Sequence, residues 1–76
     1  MSVSETTKDR RGVLTGSMWV NIFSEPIVDS EIVTMLPALT EVCVDLSCST
    51  DNFYKIYTER SIEGYCQRKY VSLALT

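Results

Sequence analysis

Residues 24–52 read SEPIVDSEIVTMLPALTEVCVDLSCSTDN, a stretch with no Lys, Arg or Gly. It carries six carboxylates, Glu25, Asp29, Glu31, Glu41, Asp45 and Asp51. Two periodicities compete within it. Ile32, Leu36, Leu39, Cys43 and Leu46 recur at alternating four- and three-residue steps, the stripe of an amphipathic helix. Val42, Val44, Leu46 and Cys48 alternate with Cys43, Asp45 and Ser47, the pattern of a strand. Pro37 arbitrates, because a proline inside a helix removes a hydrogen bond and costs roughly 3 kcal/mol or more. Beyond it the chain turns β-branched, which suits a strand. The reading is a helix from about Pro26 to Ala38, capped by Ser24, Asp29 or Ser30, and a strand from about Glu41 to Cys48. Its weak point is the joint at Leu39–Thr40, where no Gly ends the helix. If the heptad prevails, the segment is instead one long kinked helix.

Outside this stretch, Ser17–Phe23 reads as a strand with Met18, Val20 and Ile22 on one face and Trp19, Asn21 and Phe23 on the other. Four turn formers at 49–52 lead into Phe53–Thr58, a returning strand whose rival reading is a helix capped at Thr50 or Asp51. Glu59–Lys69 suits either a short helix on Ile62, Tyr65 and Cys66, weakened by Gly64, or a loop. Tyr70–Leu75 closes the chain as a strand. The expected fold is a small two-layer α+β domain, an antiparallel four-stranded sheet with one main helix. Connection rules favour a ferredoxin-like β-α-β-β-(short α)-β order, with a β-α-β-β-β meander as the alternative. Residues 1–11 have the composition of a flexible N-terminal arm, and residues 12–76 form the single domain.

The 76 residues are 45% hydrophobic and 22% charged, the balance of a globular chain. No apolar run approaches the ~20 residues of a transmembrane helix, and the polar N-terminus lacks a signal-peptide core, so no membrane contact and a cytoplasmic setting are expected. Three cysteines and no histidine argue against a disulfide framework and against a metal site; reduced thiols and no cofactor are expected. The absence of histidine, of a Gly-rich phosphate loop and of nucleophile motifs points away from an enzyme.

The net charge of −3 is unevenly spread, with residues 12–52 wholly acidic in their ionisable groups and 53–76 carrying an excess of Lys and Arg. An acidic surface of Asp29, Glu31 and Glu41 is either a partner-facing patch or the solvated side of the helix. If the helix covers the face bearing Val20, Ile22, Val42, Val44 and Ile56, the opposite face carries Trp19, Phe23, Phe53, Lys55, Tyr57 and Tyr70. Such a face fits a protein interface, with another protein or with a second copy as a homo-oligomer. The alternatives are an arm folded over it, or single-stranded nucleic acid stacked upon it, which the acidic charge opposes.

Overall fold

A computed structural model describes residues 9–74 and contains no α-helix among them. Seven strands form it: β1 Asp9–Leu14, β2 Trp19–Phe23, β3 Ile32–Pro37, β4 Glu41–Asp45, β5 Phe53–Tyr57, β6 Glu63–Gln67 and β7 Val71–Leu73. All pairings are antiparallel, in one sheet of order β3-β2-β6-β5-β4-β1-β7. The α+β class, the ferredoxin-like order and the helical meander are therefore all overturned. The arm expected over 1–11 falls outside the described residues over 1–8, while Asp9, Arg10 and Arg11 belong to β1.

The main helix fails for local reasons. Ser30, one of its expected caps, instead holds a loop together: its hydroxyl donates to the carbonyls of Ile27 (2.7 Å) and Glu25 (3.1 Å) and accepts from the Glu25 N–H (3.3 Å). Such side-chain bonds give the backbone an alternative to helical ones. The following Ile32-Val33-Thr34 run is β-branched and stiff, which favours the pleat. The apparent helical stripe dissolves, with Ile32 and Leu36 in β3, Leu39 in a turn and Cys43 in β4. The Leu39–Thr40 joint is a hairpin turn in which Leu39 itself adopts φ 69°, the left-handed conformation usually left to glycine.

The strand expected to Cys48 stops at Asp45, whose carboxylate accepts the Ser47 N–H (3.0 Å) and caps a 3-10 turn over Leu46–Cys48. β6 replaces the expected helix or loop. Gly64 is why: a Cβ there would lie 2.6 Å from Ile22 Cγ2 and 2.8 Å from the Phe23 carbonyl oxygen, so the missing side chain is what lets β2 cross against β6.

No second layer covers the sheet. Leu14, Val20, Ile22, Val42, Val44, Ile56 and Cys66, drawn from five strands, form one buried cluster, rimmed by Leu36, Leu46, Tyr54, Tyr70, Val71 and Leu73. A sheet whose inward residues from all seven strands meet must curl around its own inner face. Bonds at one end hold the curl: Leu14 N–H donates to Thr40 O (3.0 Å), Leu39 N–H to Leu14 O (2.7 Å) and Thr15 N–H to Tyr70 O (2.9 Å).

The two sheet edges are both blunted. β7 is three residues long. On β3 the Ala38 N–H donates to Met18 O (2.9 Å), so by alternation Leu36 and Thr34 also face β2 while Pro37 faces outward. Pro37 thus withholds its absent donor from the open side, and a register shift opposite Ile22/Phe23 distorts the strand's other end.

Candidate interaction surface

The expected aromatic face assembles only in part. Phe23 and Phe53 are buried at 6% and 4% exposure and form an edge-to-face pair, ring centroids 5.8 Å apart, although β6 separates their strands. They serve as a second small core on the outer face. Tyr57 is half-buried and its hydroxyl donates to Asp45 Oδ2 at 2.8 Å. Tyr70 lies at the sheet's end, packed against the inner core with the Lys69 ammonium 5.3 Å from its ring centre. Lys55 pairs with Glu63 at 3.2 Å and sits 5.2 Å from the Tyr65 ring centre. Burial works to lower the Lys55 pKa, but the Glu63 carboxylate outweighs it and the net shift is upward. Trp19 alone among the expected aromatics stands exposed, at 56%.

The acidic set does not gather on one face either, since the helix meant to carry it is absent. Asp29 lies in the loop between β2 and β3, Glu31 just before β3, and Glu41 opens β4 beyond the next turn. All three are exposed.

Exposed apolar surface gathers elsewhere. Among the described residues the exposed large hydrophobics are Met18, Trp19, Ile27, Val28, Ile32, Val33, Met35 and Leu39, every one of them in the β2–β3 hairpin, its loop or its flanking turns. Register explains the outer face of this hairpin: Trp19 stands opposite Pro37, Asn21 opposite Met35 and Phe23 opposite Ile32. The sequence reading missed Ile27, Val28, Ile32, Val33 and Met35 because it wound them into a helix. The available signal was the uncharged, β-branched run Ile32–Thr34 beside a proline.

Two shallow grooves border the hairpin. One, of about 220 Å³, runs between Ser17, Trp19, Asn21 and Phe23 on one side and Gln67 and Tyr70 on the other, with Val28 over it. The other, of about 430 Å³, continues from Val28 and Gln67 past Phe53 to Arg68 and Lys69. Glu25, Asp29 and Glu31 stand exposed at the loop end of the hairpin. Arg68 and Lys69 are exposed on the turn after β6, whose Lys69 and Tyr70 adjoin Gly16, next to the Trp19 end. Lys55–Glu63 is the one ion pair among the described residues, so neither set is neutralised within the chain.

The remaining chemistry is quiet. All three cysteines are free; Cys66 is buried and burial pushes its thiol up to about 11, which leaves it a packing residue rather than a nucleophile. No group of three or more His, Cys, Asp or Glu that would hold a metal ion exists among the described residues. No helix among them is long and apolar enough to cross a membrane. No protein-family model matches the chain, and no curated protein is similar to it.

Proposed function

We propose that this chain is a non-catalytic protein-interaction module that docks through the outer face of its β2–β3 hairpin. The observation that carries the reading is the confinement of all exposed large hydrophobics to that hairpin, its loop and its flanking turns. A contiguous apolar patch on a small domain marks an interaction site, and a Trp beside a Met supplies the large, adaptable contact of an interface anchor. The blunted β3 edge directs docking to side chains rather than to strand addition. Base stacking on the same face finds less support, because Phe23 and Phe53 are buried in each other and only Trp19 offers an open ring. A cytoplasmic setting belongs to the same proposal, since three free thiols suit a reducing compartment.

Site-resolved photo-crosslinking tests it. A photoreactive residue at position 19 or 35 is expected to yield discrete protein adducts in extracts of expressing cells or in the purified protein, whereas one at the exposed Ser72 gives none. Equal adducts at all three positions, or adducts to nucleic acid alone, would overturn the reading.

A further inference from the structure

We infer that the occupant of this surface is a second copy of the same chain, docked face to face about a two-fold axis. The inference rests on the proposed docking face and adds its partner and its orientation.

The argument is one of charge. The outer face of the hairpin is uncharged across its middle, where Trp19, Asn21, Met35 and Pro37 stand in register. Its loop end bears Glu25, Asp29 and Glu31, and no Lys or Arg occurs between Gly12 and Asn52. Beside its other end stand Arg68 and Lys69, held by stacking on Tyr54 (4.5 Å to the ring centre) and Tyr70 rather than by carboxylates. Trp19 to Phe23 spans about 13 Å at strand rise, so the two charged ends are distinct. In an isologous pair each patch meets its own copy reversed. A two-fold axis near Asn21 and Met35 therefore lays the acidic loop of each copy on the basic turn of the other, twice, with Trp19 and Met35 closing the centre. A parallel arrangement would set like charges together and is opposed. Pairing of β3 edges is opposed as well, by Pro37 and the register shift.

Charge-swap rescue tests this. Sedimentation velocity at low salt is run on the wild type, on E25K/D29K/E31K, on R68E/K69E and on an equimolar mixture of the two variants. The wild type is expected to dimerise, each variant alone to raise the dissociation constant at least tenfold, and the mixture to recover the dimer, because the swapped charges then complement each other at both contacts. Salt should weaken the wild-type dimer. Circular dichroism checks the fold of each variant; if R68E/K69E fails to fold, K69E alone replaces it, since Lys69 is exposed. A dimer indifferent to both charge sets, or a mixture that stays monomeric, overturns the two-fold arrangement. A wild type monomeric at every concentration overturns self-association and leaves docking to another protein standing. A dimer that survives Trp19→Ala and Met35→Ala unweakened overturns the hairpin face itself.

Discussion

At the scale of single residues, the most constrained ionisable group is Asp45. Its carboxylate accepts the Ser47 hydroxyl at 2.6 Å, the Ser47 N–H at 3.0 Å and the Tyr57 hydroxyl at 2.8 Å. The Ser47 hydroxyl, then the Tyr57 hydroxyl, hold its pKa at about 2, below the ordinary 3.8, against a smaller desolvation. A depressed carboxyl pKa means that folding favours the ionised form. The stabilisation is complete above the unfolded value near 3.8 and is lost as pH falls through that value towards 2. Asp45→Asn should lower the melting temperature at pH 6 by roughly 4–8 °C, the shift given by about 1 kcal/mol in a domain of this size, solvent screening keeping it that small. The gap between wild type and variant should narrow steadily below pH 4. A gap of constant size down to pH 2 would show that shape, not charge, makes Asp45 matter.

At the scale of elements, the hairpin turn between β3 and β4 carries a cost that the rest of the fold offsets. Leu39 sits at φ 69° with its side chain 76% exposed, while its N–H donates to Leu14 O. A left-handed L-residue costs roughly 1–2 kcal/mol, and glycine there returns part of that as unfolded-chain entropy. Leu39→Gly should therefore raise stability by about 0.5 kcal/mol in urea unfolding, with the slope unchanged; a loss of stability would mean that the exposed Leu39 side chain packs in solution. The same turn shows where the sequence was legible. Period-two alternation is a local property, and it placed Val20, Ile22, Val42, Val44 and Ile56 on the inner face as found. Whether Ile32–Pro37 is helix or strand is not local, because both stripes are written in it and β2 decides between them. Gly64 reads as a weakened helix until Ile22 is seen against it. The candidate surface follows the same divide: Trp19 was found from its strand phase, whereas β6 between β2 and β5 turned Phe23 and Phe53 into core, and the open face moved to β3.

At the scale of the whole molecule, the two ends of the chain close the sheet together. β1 receives β4 on one side and β7 on the other, with Gly12 opposite Leu73 and Leu14 opposite Val71. The Ala74 N–H adds a bond to Arg11 O at 2.8 Å. Val71 and Leu73 pack against the buried cluster that holds every other strand, so β7 shares the core despite its three residues. A 76-residue domain has a total stability of roughly 4–11 kcal/mol. Fully burying a Val or Leu contributes about 1.5–3 kcal/mol, and these two are half-buried. Ending the chain at Tyr70 should accordingly remove about 3 kcal/mol, counting the lost ladder, and uncover the outer side of β1. The truncated protein should melt at a much lower temperature, still in one cooperative transition, when followed by far-ultraviolet circular dichroism. Val71→Ala with Leu73→Ala in the full chain should reproduce most of that loss, since the ladder survives but the packing does not. A truncated chain that melts with the full-length protein would place β7 outside the cooperative unit and leave β1 as the true edge of the sheet.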